Sequence, residues 1–495
     1  MIWRKRRQKL LRVVAAIGFV LLANAQTKSA STNALRTPDK DTIAALEADI
    51  PKLLHEANVP GISLVVIRDG KTYWLHSFGI KDEKTKQLVT EDTIFEAASL
   101  SKPVFAYGVL KLVDEGKLDL DTPLTKYLPQ RYIPGDDRLD KITARIVLSH
   151  RTGFKNWRPN DGDLKIYFTP GEKFSYSGEG YVYLQKVVEQ ITGKKLNEYM
   201  TEAVFTPLGM KSSSYVWRSD YDARTATGHN EDEVPGKKWK PQEAVSASSL
   251  QTTAADYASF VEAVMNGTGL KPATLAEMEK PQIAVDLECT NCTDRAAGEL
   301  SKEVFWGLGW GIQETPDGKS LWHWGDNGAF KCYVVAYPKQ KMGVVMFTNG
   351  QNGLAIREDV VKMVVGGAQP AFTWAKYDRY DSPSMRFGNA VVAEGLTKAI
   401  EEFHRPLSDG SISEDSINTL AYRLWYGQNK HPEAIKIFEL NVQLHPDSWS
   451  VYDSLGEAYS NTGQKDLAIK NYKKSLELNP KNDGAVKMLA KLQAK

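Results

Sequence analysis

Ser99 and Lys102 stand three positions apart in Thr93-Ile94-Phe95-Glu96-Ala97-Ala98-Ser99-Leu100-Ser101-Lys102. If a helix starts near Ser99, both side chains lie on one face of it. Pro103 is tolerated there, because the first N–H groups of a helix have no intrahelical partner. Val104 to Val113 is mostly apolar and Gly116 follows as a terminating glycine, so the helix is expected to be buried. A buried lysine loses its proton more readily and becomes a base. A serine beside it, at the positive end of a helix, is suited to attack a carbonyl carbon and to have the resulting oxyanion stabilised. S-x-x-K alone is weak evidence, since a helix-capping serine with a solvated lysine gives the same letters. The chain contains it only here.

Two further segments change that balance. Phe174-Ser175-Tyr176-Ser177-Gly178-Glu179-Gly180-Tyr181 places Tyr176 in a glycine-rich turn before an amphipathic run. Trp322-His323-Trp324-Gly325-Asp326-Asn327-Gly328 places His323 on a strand that ends in glycines. Individually, Tyr176 reads as a core aromatic and His323 as a satisfied strand residue. In this order and at these separations, the three segments resemble the serine β-lactamase and penicillin-binding-protein superfamily, in its class C and esterase-like branch. The resemblance covers about residues 41–350, including Leu148 to Phe154 and Ser248 to Asp256. It implies that Ser99 is acylated, that Lys102 is its base, and that Tyr176 passes the proton to the leaving group. It also implies that His323 is the fourth catalytic residue, that Gly178, Trp324 and Gly325 bind substrate, and that the backbone N–H groups of Ser99 and Asp326 form the oxyanion hole. No metal or other cofactor is implied.

Two departures bear on substrate. The second motif of the family usually ends in Asn, which helps hold the lysine and a substrate amide; Gly178 stands there. The strand motif of true β-lactamases and transpeptidases starts with Lys; His323 stands there, and His is mostly neutral at pH 7. The expectation is therefore an esterase or a D-amino-acid or peptidoglycan-related peptidase rather than an efficient β-lactamase, acting on a small-molecule or peptide substrate. The alternative is a non-catalytic receptor or scaffold for peptidoglycan fragments or β-lactams.

The whole chain fits an enzyme of several domains. It has 495 residues, 42% hydrophobic and 25% charged, with 12 Trp and 21 Tyr, a globular rather than disordered composition. A net charge of +2 implies no nucleic-acid partner. Residues 1–25 read as a signal peptide: a basic start, an apolar run from Val13 to Ala23, and Ala23-Asn24-Ala25 as cleavage site. An uncleaved anchor is the other reading, but the run is short for a bilayer span, and no stable membrane span is expected after cleavage. The mature protein is expected in the periplasm or secreted. Cys289 and Cys292 lack the partners of a zinc site, so a local disulfide is the favoured reading, with Cys332 buried in a strand.

These residues need a scaffold. Leu46 to Ala57 looks helical, and Gly61 to Phe78 alternates like a hairpin around Asp69-Gly70. Gly307 to Gln313, Ser320 to Trp324, Phe330 to Tyr337 and Gly343 to Thr348 read as antiparallel strands. The expected fold is α+β (α/β): an antiparallel sheet built from both ends of the segment, flanked by helices and carrying a helical subdomain. Further on, Tyr452, Leu455, Gly456, Tyr459, Ala468, Tyr472 and Pro480 resemble a tetratricopeptide repeat, with Ala434, Phe438 and Pro446 one repeat of ~34 residues earlier. The expected organisation is a signal peptide over 1–25, a flexible lead-in over 26–40, a hydrolase domain over 41–370, a linker with a helix over 371–411, and an all-α repeat domain over 412–495, closed by a capping helix at Asp483 to Gln493. Two readings stand for the repeats, a surface for a protein partner and packing alone.

Overall fold

The computed structural model describes residues 34–158, 163–293 and 295–494. The signal peptide expected over residues 1–25 and most of the lead-in lie outside the described residues. Helix α1 (Lys40–Ala57) is capped by Asp39, which accepts from the Thr42 N–H while the Thr42 hydroxyl accepts from the Asp39 N–H. Its Leu46, Ile50, Leu53 and Leu54 form a buried stripe at helical spacing. Strands β1 (Gly61–Arg68) and β2 (Lys71–Asp82) follow as a hairpin. Asp69 and Gly70, at φ 55° and 73°, occupy the two left-handed positions that such a two-residue turn requires.

After the short strands β3 (Gln87–Leu88) and β4 (Phe95–Glu96), the chain enters helices α2 (Ser101–Asp114), α3 (Gly178–Thr192) and α4 (Ala254–Asn266). Strand β5 (Gln251–Thr252) pairs with β4 away from the main sheet. The chain then returns through β6 (Ile283–Asp286), β7 (Leu300–Trp306), β8 (Gly311–Thr315), β9 (Gly318–Asp326), β10 (Lys331–Tyr337) and β11 (Met342–Thr348). The nine-stranded antiparallel sheet runs β3-β2-β1-β11-β10-β9-β8-β7-β6, so the first hairpin closes against the last strand. The strand expected from Gly307 starts only at Gly311, because Gly309 at φ 89° turns the chain there. Strands β6 and β7 were not legible: β7 lies near the sheet edge, and exposed Lys302 and Glu303 interrupt its alternation.

Central strands are apolar on both faces. Val65, Val334 and Phe347 point toward the helical subdomain. Leu64, Val335 and Val344 point toward α1 and helix α5 (Arg357–Val364). The stretch read as a linker carries four short helices, divided between two cores. In α6 (Pro370–Ala375), Ala371 and Trp374 join the core of the sheet, with Phe372, Tyr377 and Tyr380 packed against it. In α7 (Pro383–Glu394), Phe387 and Val391 join the core of the repeats. There α8 (Glu414–Tyr422), α9 (His431–Leu444), α10 (Trp449–Asn461) and α11 (Lys465–Leu478) form two helical pairs, closed by α12 (Asp483–Gln493). Gly456 is small because the Tyr472 ring lies 3.1 Å from where its Cβ would be. No helix among the described residues is long and apolar enough to cross a membrane.

Candidate active site

Ser99 lies in a 3₁₀ turn, Ala98–Leu100, that leads directly into α2. Lys102 is 0% exposed, and its Nζ lies 3.0 Å from Ser99 Oγ and 2.8 Å from the Ala247 carbonyl oxygen. Burial lowers the Lys102 pKa from its ordinary value to about 7. Much of it is therefore a neutral amine at neutral pH, 3.0 Å from the hydroxyl whose proton it would take. Ala98 is held at φ 48°, a left-handed conformation that costs energy in a residue with a Cβ. The turn is tied down from several sides. Ser101 Oγ donates to the Ala98 carbonyl at 2.6 Å, Tyr257 donates to the Leu100 carbonyl at 3.1 Å, and Tyr215 donates to the Ser101 carbonyl at 2.8 Å.

Tyr176 is brought to the same place by the segment before α3. Its ring lies 4.8 Å from Lys102 Nζ and stacks on His150 at 4.2 Å. Burial holds the phenol pKa well above its ordinary value, and hydrogen bonding toward Ser99 offsets this only in part. Within strict hydrogen-bond geometry the Tyr176 hydroxyl has no protein partner. It is thus a phenol with a free proton, not a phenolate. His150 Nδ1 accepts the Ser177 N–H at 3.0 Å and so fixes the backbone just after Tyr176. From the other side, the Tyr176 N–H donates to the Thr290 carbonyl at 2.9 Å, inside the loop closed by a disulfide between Cys289 and Cys292.

Strand β9 forms the opposite wall. A Cβ at Gly325 would meet the Ala97 carbonyl oxygen at 2.5 Å, so only glycine lets β9 approach the turn that carries Ser99. This approach brings β9 against the turn Ala98–Leu100. His323 is 0% exposed and neutral: burial and the nearby Lys102 push its pKa down to about 3. Its Nδ1–H donates to the Trp324 carbonyl at 2.7 Å, which leaves Nε2 as an acceptor with no protein partner. Trp324 lies 5.1 Å from the Tyr176 ring. The Asp326 carboxylate takes a 2.5 Å ion pair from Lys331 and a 2.7 Å hydrogen bond from the Tyr377 hydroxyl.

All four side chains singled out by sequence, Ser99, Lys102, Tyr176 and His323, therefore converge, together with Trp324, Gly325 and Asp326. Gly178 opens α3 two residues beyond Tyr176. The sequence reading missed Ala247, His150, Tyr377 and Trp157. His150 and Ala247 lay in or beside segments already noted, but a backbone carbonyl acceptor has no signature. Asn327 was also missed as a tie; its amide donates to buried Glu96 at 3.0 Å and joins the end of β9 to the strand before Ser99. Among the described residues no group of three or more His, Cys, Asp or Glu side chains is placed to hold a metal ion.

Comparison with known proteins gives the family and the fold. The family model described as Beta-lactamase matches residues 44–362, and the chain belongs to that family. A tetratricopeptide repeat model matches residues 450–482. Among curated proteins, Penicillin-binding protein 4 of Amycolatopsis lactamdurans is 27% identical over 341 residues, 63% of this chain and 87% of that one. Protein flp of Staphylococcus aureus (strain MW2) is 22% identical over 330 residues, and the match spans 63% of its length and 62% of this chain. Two solved structures share the fold. The octameric penicillin-binding protein homologue from Pyrococcus abyssi has a TM-score of 0.55 at 22% identity, over 71% of this chain and 81% of that one. D-alanine carboxypeptidase AmpC from Burkholderia cenocepacia has a TM-score of 0.56 at 21% identity, over 66% of this chain and 98% of that one.

Proposed function

We propose that this chain hydrolyses esters or amides through an acyl-enzyme on Ser99. The observation that carries the reading is the buried Lys102 Nζ, 3.0 Å from Ser99 Oγ. As Oγ attacks the carbonyl carbon, its proton passes to neutral Lys102, and the oxyanion is held by the N–H groups of Ser99 and Asp326. The leaving oxygen or nitrogen takes a proton from the Tyr176 phenol, which recovers one from Lys102. Water then attacks the acyl carbon. Its proton leaves through the same pair, its oxygen stays on the released acid, and the proton returns to Ser99.

Short acyl esters and D-amino-acid amides suit this site better than penicillins or cephalosporins. A β-lactam carries a carboxylate beside the reacting ring, and a fixed cation binds it well. His323 is uncharged, and Gly178 brings no amide to hold the lactam side chain. The relatives include a D-alanine carboxypeptidase and penicillin-binding proteins, which supports peptidase-like substrates as the amide arm of this reading. The reading also includes export, supported by the basic and then apolar start of the chain and by the Cys289–Cys292 disulfide. The test is labelling with a fluorophosphonate, followed by ester turnover. Ser99→Ala is expected to lose both while keeping its folded spectrum. Labelling that persists on another serine would overturn the assignment, and a wild-type acyl-enzyme that never turns over would favour a receptor.

A further inference from the structure

Gly178 leaves room that a neighbour has taken. A Cβ at this position would lie 2.8 Å from Cη2 and 3.0 Å from Cζ2 and Cζ3 of Trp157, so the six-membered ring of that indole fills the space a side chain would use. The placement is built. Asn156 Oδ1 accepts the Gly178 N–H at 2.8 Å, and the Asn156 carbonyl accepts the Glu179 N–H at 2.8 Å. On the other side of Trp157, Arg158 Nη2 pairs with buried Glu179 at 3.0 Å, and the same carboxylate oxygen accepts the Tyr132 hydroxyl at 2.6 Å. Both neighbours of Trp157 are thus bolted to the first turn of α3. The centre of the indole lies 6.0 Å from Lys102 Nζ. Even so, 45% of this tryptophan is exposed, so part of its apolar surface is open to solvent.

We infer that Trp157 is the specificity-determining residue of this site: an aromatic wall, standing where an amide side chain would be, that receives the acyl group of the substrate and selects aromatic or other bulky apolar acyl groups. The inference rests on the hydrolase reading above and names its substrate class. An indole cannot pair with a substrate amide, so an acyl chain carrying an amide at that point is left with unpaired polar atoms, whereas a phenyl ring is covered on one face. Because Trp157 is fastened on both sides, little entropy is lost when a ligand packs on it.

The test holds the leaving group constant and varies the acyl group in the full-length chain. The readout is the ratio of kcat/KM for p-nitrophenyl phenylacetate to that for p-nitrophenyl acetate. Trp157→Ala is expected to lower this ratio about 10- to 100-fold, the range for loss of an apolar contact in a pocket. Trp157→Phe keeps an aromatic face and is expected to restore most of it. Fluorophosphonate labelling of Ser99 reports in each variant whether the site is assembled. Should Trp157→Ala fail that check, Trp157→Gln puts a polar chain of similar reach there and is expected to lose the preference in the same way. A ratio unchanged in the labelled variants would overturn the inference and leave the hydrolase reading standing. So would a preference that follows the alcohol when methyl and benzyl phenylacetates are compared. Absence of labelling in the wild type would instead sink the hydrolase reading itself.

Discussion

The chemistry turns on how burial sorts three neighbouring groups. It brings Lys102 down to about 7, His323 down to about 3, and Tyr176 up, so the groups that the proposed mechanism uses as base, neutral wall and proton donor differ by environment. Lys102→Met and Tyr176→Phe should each lower kcat/KM for a nitrophenyl ester by about 10²- to 10⁴-fold, the usual worth of a placed acid or base. The double variant should lose less than the product of the two, because both handle one proton. Full multiplicativity would separate their roles. The acylation rate should rise with pH through about 7 as Lys102 loses its proton, and no second inflection from His323 should appear between pH 5 and 8. His323→Lys should raise the ratio of cephalosporin to ester turnover by placing a cation where the wild type has none. An unchanged ratio would remove His323 from the account of substrate class.

Elements place these groups by close approach more than by any one bond. Gly325→Ala would push a methyl into the Ala97 carbonyl, a backbone atom that cannot rotate away. If the proposed mechanism holds, ester turnover should fall at least about 100-fold as the proposed oxyanion donors separate, and a near-normal rate would show that β9 does not set them. The Cys289→Ser, Cys292→Ser double variant frees the loop whose Thr290 carbonyl holds Tyr176. A few-fold loss of kcat with KM little changed is expected, read against the wild type treated with a reductant. Much of this scaffold was legible beforehand. The Asp69-Gly70 hairpin, the buried helix after Ser99 and the strand around His323 each carry a local pattern of period or turn residues. The strands β6 and β7 do not, since a sheet edge tolerates charge on both sides of the alternation. Trp157 and Tyr377 were invisible for another reason: each acts by a contact that only the folded chain creates, and neither lies in a motif.

At the scale of the whole molecule, the domain that carries Ser99 packs past the end of the family match at residue 362. Trp374 donates to the Asp286 carbonyl at 2.8 Å from within the sheet core, and Tyr377 bonds the side chain of Asp326. A chain ended after Gln369 should therefore lose thermal stability and ester turnover, whereas one ended after Asp381 should keep both. Equal behaviour of the two would make the segment dispensable. The repeats sit close by: Arg423 Nη2 pairs with Asp232, and Gln428 donates to the same carboxylate at 2.8 Å. The segment that holds the tetratricopeptide match is thus tied by these contacts to the domain that carries Ser99. The most direct measurement of the central claim is peptide mapping by mass spectrometry of the full-length protein, trapped with a slowly released acyl ester, in the wild type and in Lys102→Met. The acyl mass should fall on the peptide that contains Ser99 in the wild type, and the yield should collapse in the variant. An acyl group on any other residue, or equal yields in the two proteins, would contradict a serine activated by Lys102.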